Sequence, residues 1–270
     1  MENRVKTYNK TLLRQKSPSE KLQLFVAKVL DKLNEFDVTS GSNFKYRSGV
    51  LEVSLNRNEL TPDQNRRLND ASIYIRTGLF LNLLSFTIVQ YGFRPVIHTF
   101  PRFDEPDLMA FVHVEKARSG DISESPKFRD TLTANGIPFD GTLRGMAVKR
   151  GLGVTEVKSA ASLKKVAGTL LHPDAGCGKT QPTEETKALV NKFCSGDDEN
   201  SKVYIISTLV NSPVQWAATG LFLGDLLRAE SRYSCNVKPL SLNNCTSCIQ
   251  NALAPLVTSG TPQIVIGTRV

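Results

Sequence analysis

Three short stretches of this 270-residue sequence carry residue types that could do chemistry. Gly176-Cys177-Gly178-Lys179-Thr180 ends like a phosphate-cradling loop, in which backbone N–H groups and a lysine turn toward phosphate oxygens. That motif also needs a glycine five positions before Gly178, where Pro173 stands, and no strand pattern precedes it. A nucleoside-triphosphate site is therefore not expected. Cys245-Thr246-Ser247-Cys248 is a single CxxC at the expected start of a helix, where the helix dipole would lower a thiol pKa. Zinc would need a further ligand pair, which Cys235 alone does not supply, so these read as buried or idle thiols. His98, His113 and His172 show no HExxH pattern and no close carboxylate grouping, and are expected to be structural.

Composition narrows the rest. Forty per cent hydrophobic residues suffice for one large core or two intimately packed halves. The first sixteen residues hold Arg4, Lys6, Lys10, Arg14 and Lys16 but no apolar run long enough for a signal peptide or membrane span. A cytoplasmic location with no membrane partner is expected. Five cysteines, Cys177, Cys194, Cys235, Cys245 and Cys248, are odd in number and confined to the second half, unlike a secreted disulfide framework. A formal charge of +8 favours anionic partners. The clusters Arg66-Arg67 and Lys164-Lys165 are short and lack interleaved aromatics, so nucleic acid is not expected among them.

The elements that must position any site are legible from capping residues and periodicity. Ser17-Pro18-Ser19-Glu20 opens a helix whose apolar face is Leu22, Phe25, Val26, Val29, Leu30 and Leu33. Period-two alternation through Phe44, Tyr46, Leu51, Val53 and Leu55 about Ser48-Gly49 predicts a hairpin. After a polar connection, 56–69, comes a long helix over 71–91 with Asp70 as cap and Gly92 as its stop. Strands at Pro95–Thr99 and Leu108–Val114 follow, then a polar boundary at 117–125. Beyond it the pattern predicts helices near 127–133, 162–171 and 184–193, with a strand at 154–157. The last stretch reads as strand 203–207, helix 214–230, strand 237–240, helix 248–257 and strand 263–269.

An internal repeat is the most informative feature. Thr77-Gly78-Leu79-Phe80-Leu81 recurs as Thr219-Gly220-Leu221-Phe222-Leu223, and two leucines follow each copy at Leu83-Leu84 and Leu226-Leu227. Both copies lie in long apolar helices followed by a short strand. Glycine there costs about 1 kcal/mol of helix stability relative to alanine. Close approach of another backbone would offset that cost, and so would simple accommodation of core packing.

On these residues the chain resembles the nitroreductase-like family, and within it the Acg-like branch, in which one chain contains both halves of what is usually a homodimer. The resemblance runs through Tyr91-Gly92-Phe93-Arg94-Pro95, Phe103-Asp104-Glu105-Pro106-Asp107-Leu108, Ser207-Thr208, Trp216, Gly220, Pro239-Leu240 and Thr261-Pro262-Gln263. It implies an α+β, three-layer fold: two related halves, 1–120 and 121–270, forming an internal pseudo-dimer around antiparallel sheets. It also implies FMN bound between the halves, NAD(P)H as reductant and two-electron transfer to an acceptor without a dedicated catalytic side chain. The segment matching the family's first phosphate-binding stretch is Ser40-Gly41-Ser42-Asn43-Phe44-Lys45-Tyr46-Arg47. Ser40 and Asn43 match the pattern, and Ser42, Lys45 and Arg47 are chemically suited to phosphate. Ser241 and Arg269 are the candidates from the second half, Arg269 standing equally as a solvated terminal arginine.

Two departures keep a second functional class open. A family Thr-Asn-Arg-x-Pro-Phe segment stands here as Ala134-Asn135-Gly136-Ile137-Pro138-Phe139, and a Trp-x-Arg-Ala-Gly segment as Trp216-Ala217-Ala218-Thr219-Gly220, both without the arginine. The expectation is an FMN-binding oxidoreductase, monomeric with a pseudo-two-fold or homodimeric. The alternative is a nonenzymatic relative that sequesters flavin or binds a partner.

Overall fold

Alternating apolar residues on either side of Gly49 fold into a hairpin, β1 (Ser42–Arg47) against β2 (Val50–Leu55). Gly49 sits at φ 85°, a conformation that costs glycine nothing. The structure, a computed structural model, describes residues 42–47, 49–55, 71–102, 104–105, 107–116, 139–172, 182–196, 198–233, 235–241 and 247–269. The expected helices after Ser17 and at 127–133, the 176–180 loop and the connections 56–69 and 117–125 lie outside these residues, as do Ser40 and Cys245.

The described residues form a mixed α+β structure with two four-stranded antiparallel sheets. It divides into two compact units, residues 1–57 with 83–125 and residues 58–82 with 126–270. The helix α1 (Ala71–Gln90) starts in the second unit and ends in the first. It stops where expected: Gly92, at φ 78°, returns its N–H to the Val89 carbonyl at 2.9 Å.

In the first unit β3 (Phe93–Thr99) and β4 (Leu108–Lys116) complete a sheet of order β1-β2-β4-β3. Strand β3 begins two residues before the expected Pro95, because Phe93 already faces Lys116 in the ladder. Leu51, Val53, Leu55, Val112 and Val114 are buried, while Glu52, Phe111 and His113 stand on the more open face.

The second unit runs through α2 (Phe139–Lys149), β5 (Leu152–Val157), α3 (Ala160–Leu171), α4 (Glu184–Cys194), β6 (Ser201–Thr208), α5 (Pro213–Tyr233), β7 (Asn236–Pro239), α6 (Ser247–Leu253) and β8 (Thr261–Arg269). Its sheet has the order β5-β6-β8-β7. Helices cover both faces. Val203, Ile205 and Val265 point into a core shared with Val166 and Leu170 of α3, Val190 and Phe193 of α4, and Leu253 of α6. The intervening Tyr204, Ile206, Ile264 and Ile266 face the other way and are equally buried, so β6 and β8 read as unbroken apolar runs. The expected helix 248–257 ends at Leu253 in a 3-10 turn, Ala254–Leu256, because Pro255 cannot continue it. Helix α2 has no counterpart in the sequence reading. Gly141 and Gly145 weaken its propensity, and among its residues only Phe139, Leu143 and Ala147 are buried.

The two sheets share a plan. Each has its first two strands neighbouring, its fourth strand beside the second and its third at the edge. Each long helix follows the second strand, and in each sheet the second strand slips register against the fourth near its own end, at Val53/Ser54 and at Ile206/Ser207.

Within the second unit the opening turns of α1 cross α5 at the repeated glycines. A Cβ on Gly78 would lie 2.9 Å from the Ala217 carbonyl carbon, and one on Gly220 would lie 2.8 Å from that of Ile75 and 2.7 Å from the Leu79 nitrogen. Ala217 and Ile75 each stand three residues before the partner glycine, so the two contacts are reciprocal. Four residues before each glycine, Tyr74 and Trp216 meet with ring centroids 5.3 Å apart. Thr77 and Thr219 each donate a hydroxyl to the carbonyl four residues back, Ile73 and Gln215, at 3.0 Å. Phe80 and Phe222 are both fully buried.

Replacing Gly220 by alanine is expected to cost about 2 kcal/mol or more in urea denaturation, since backbone would have to move. Gly145→Ala, on α2 with nothing within 4 Å of a new Cβ, is expected to stabilise by about 0.5–1 kcal/mol. Equal effects at the two glycines would contradict the close approach.

Candidate functional site

Strand alternation sorts the β1 candidates by face. Asn43, Lys45 and Arg47 are exposed and point together from an edge strand, whereas Ser42, Phe44 and Tyr46 are half-buried on the opposite face. Side chains two residues apart on one face sit about 7 Å from each other, close enough for Lys45 and Arg47 to reach one phosphate. Across the sheet the ladder continues from Lys45 to Glu52, Phe111 and His98, and from Arg47 to Val50, His113 and Val96. The Arg102 guanidinium lies 5.8 Å over the Phe111 ring. His98 and His113 meet edge to face with centroids 5.6 Å apart. Among the described residues, no group of three or more His, Cys, Asp or Glu side chains could hold a metal ion.

The second-half candidates are engaged by the protein. The Ser241 hydroxyl, in a residue 2% exposed, accepts from the Val265 N–H at 2.8 Å and so ties the end of β7 to β8. Arg269 is half-exposed and its Nε lies 2.9 Å from Asp198 Oδ2. Backbone and hydroxyl hydrogen bonds from Asn200 and Ser201, with Arg269 adding its charge, hold the Asp198 carboxyl below the usual range. Arg269 pairs with Ser201 in the ladder, four residues along β8 from Val265, or roughly 13 Å in an extended strand. Ser241 and Arg269 therefore do not form one cluster.

Residues that carry the resemblance in the second half converge instead on a buried polar knot. Gln263 is 2% exposed; its Nε2 donates to Thr208 Oγ1 at 2.8 Å and to Asn211 Oδ1 at 3.1 Å, and its Oε1 accepts from Gln250 Nε2 at 3.0 Å. The Trp216 indole donates to the same Asn211 oxygen at 2.7 Å. This network fixes the turn from β6 into α5.

Two further polar clusters have no local signature in the sequence. On the helix pair, Asn82 Nδ2 donates to the Leu221 carbonyl at 2.8 Å and to Asp225 Oδ1 at 2.9 Å. Asp225 also takes a forked pair of bonds from Arg150, at 3.2 and 2.8 Å, and pairs with Arg228. Two guanidinium groups thus share one carboxylate. On α2, Asp140 accepts from the buried Tyr204 hydroxyl at 2.5 Å and pairs with Lys202. Burial alone would raise the Asp140 pKa, but the hydrogen bonds from Lys202 and Tyr204 outweigh it and the net shift is downward. Burial, then the Asp140 carboxylate, pushes the Tyr204 phenol upward, so it remains a donor.

No model of a known protein family matches the chain, and no curated protein matches it.

The lowered Asp140 pKa contributes stability that is present above the ordinary value of 3.8 and is lost as pH falls through the folded value. Urea midpoints followed from about pH 5 to about pH 2.5 should therefore fall less steeply for Asp140→Asn than for the parent; parallel profiles would contradict the linkage. Burial pushes the Cys194 thiol up to about 11, so it stays protonated at neutral pH. Iodoacetamide at neutral pH should label Cys194 only after denaturation, as read by peptide mass spectrometry.

Proposed function

We propose that this chain is an FMN-binding, nitroreductase-like oxidoreductase in which one polypeptide carries both copies of a duplicated α+β fold. The observation that carries the reading is the reciprocal crossing of α1 and α5: each glycine meets the residue three places before the other, and Tyr74 meets its counterpart Trp216. Contacts of this kind arise when two equivalent helices pack about a two-fold axis. The shared strand order and matching register slips support the same duplication. Three residues of the resemblance, Thr208, Trp216 and Gln263, converge on one network, which gives them a common structural role.

The residues present fit FMN unevenly. Lys45 and Arg47, with Asn43 beside them, form an exposed set of cations and an amide on one strand face, suited to the terminal phosphate of a flavin mononucleotide. Ser241 and Arg269 are already held by Val265 and Asp198 and do not offer a second clamp. Bound FMN would supply the two-electron chemistry between NAD(P)H and an acceptor, and the chain would contribute placement of the phosphate. The engagement of Ser241 and Arg269 favours a second reading, a nonenzymatic relative that sequesters flavin through the first-half residues alone or binds a partner in its place. Both readings place the protein in the cytoplasm. Helix α1 is, among the described residues, the one helix long and apolar enough to cross a membrane, and 67% of its most apolar stretch is buried, which supports a core helix.

Purified full-length protein is expected to take up added FMN, show visible flavin absorbance and bleach when NADPH is added anaerobically. Lys45→Ala and Arg47→Ala should each weaken FMN binding about tenfold, or about 1.4 kcal/mol. Colour without bleaching would favour storage. A colourless protein that takes up no FMN would remove both flavin readings.

A further inference from the structure

We propose that the end of the second sheet carrying Val148, Leu209, Val210 and Val214 docks this protein on an anionic lipid surface. These four side chains are 73%, 75%, 61% and 51% exposed, and among the described residues Tyr91 is the one other large hydrophobic left so open. They come from two segments, the end of α2 and the passage from β6 into α5, which lie side by side. Gly151, bonded back to the Val148 carbonyl at 3.0 Å, leads into Leu152, which faces Thr208 in the ladder, so Leu209 and Val210 leave the sheet beside that turn. A Cβ on Gly151 would lie 4.0 Å from Gln215 Nε2, so a side chain of the first turn of α5, the turn that carries Val214, reaches the same place. Gly260 closes the group, a Cβ there falling 3.3 Å from the Leu209 nitrogen. The polar knot around Gln263 anchors the turn from beneath.

Charge and size select the occupant. The segments 148–151, 209–215 and 258–262 contain Lys149 and Arg150 and no acidic residue, in a chain of net charge +8. Lys149 is exposed beside Val148, and Arg150 follows it, its guanidinium held by Asp225 at 2.8 Å. A stable protein interface needs about 20–30 residues a side, far more than four aliphatic side chains on turn tips supply. A second copy would also set Lys149 against its own equivalent. Shallow insertion into a lipid surface needs only a few apolar side chains with flanking cations, each cation adding attraction to anionic headgroups.

Full-length protein should co-sediment with mixed phosphatidylserine–phosphatidylcholine vesicles and much less with pure phosphatidylcholine, and the binding should weaken as salt is raised. Leu209→Asp and Lys149→Glu, both at exposed positions, should each reduce binding about tenfold or more while the circular dichroism spectrum and thermal midpoint stay those of the parent. Leu209→Trp should add a blue-shifted emission only with the anionic vesicles. The proposal is overturned if the parent ignores both vesicle types, if Leu209→Asp binds as well as the parent, or if ultracentrifugation reveals a dimer that Leu209→Asp dissolves.

Discussion

Two helix backbones touch at Gly78 and Gly220, and the second unit is organised around that contact. A glycine inside a long helix gives up about 1 kcal/mol relative to alanine, and here the absent side chain lets backbone lie against backbone. With the axes this close, neighbouring side chains have little freedom. Thr77 and Thr219 are buried and satisfy their hydroxyls on their own helices. Tyr74 and Trp216 close one end of the seam, and the Trp216 indole carries the contact on to Asn211 and Gln263. One close approach thereby reaches the loop from which Leu209 and Val210 project.

The seam is reciprocal in its backbone and deliberately unequal in one pair of side chains. Asn82 and Gly224 each stand four residues beyond a repeated glycine, and they face each other: a Cβ on Gly224 would lie 2.6 Å from the Asn82 amide carbon. Two asparagines could not share that space. On the proposed reading, a true homodimer must place the same residue twice on its axis, whereas a fused chain can keep one side chain and delete the other. The retained Asn82 bonds both the Leu221 carbonyl and Asp225, and Asp225 gathers Arg150 and Arg228. Among the described residues the polar cluster that results has one copy, which is the kind of asymmetry duplication permits.

How much of this was legible follows from where the determining partners lie. The hairpin at 42–55, the span of α1 and its stop at Gly92 are written in local alternation, length and a glycine, and they stand where the pattern puts them. The repeat around Gly78 and Gly220 pointed to the crossing because the same cost recurs at the same place in two apolar helices. Helix α2 was not legible, since Gly141 and Gly145 interrupt its propensity and its stability comes from partners such as Tyr204 and Lys202 on β6. The site residues divide the same way. The alternation puts Lys45 and Arg47, singled out through the resemblance, on one exposed strand face, whereas Ser241 and Arg269 are committed to Val265 and Asp198, partners that no local pattern announces.

The most direct test of the close, reciprocal crossing is a double-mutant cycle on the pair that faces itself, with Asn82→Gly, Gly224→Asn and the double exchange compared by urea denaturation. Gly224→Asn alone should be strongly destabilising, and the exchange should recover most of that loss because the side chain is merely supplied from the other helix, giving a coupling of about 1 kcal/mol or more. Additive losses, with the exchanged protein no more stable than the sum of its parts predicts, would show that Asn82 and Gly224 do not oppose each other and would contradict the account.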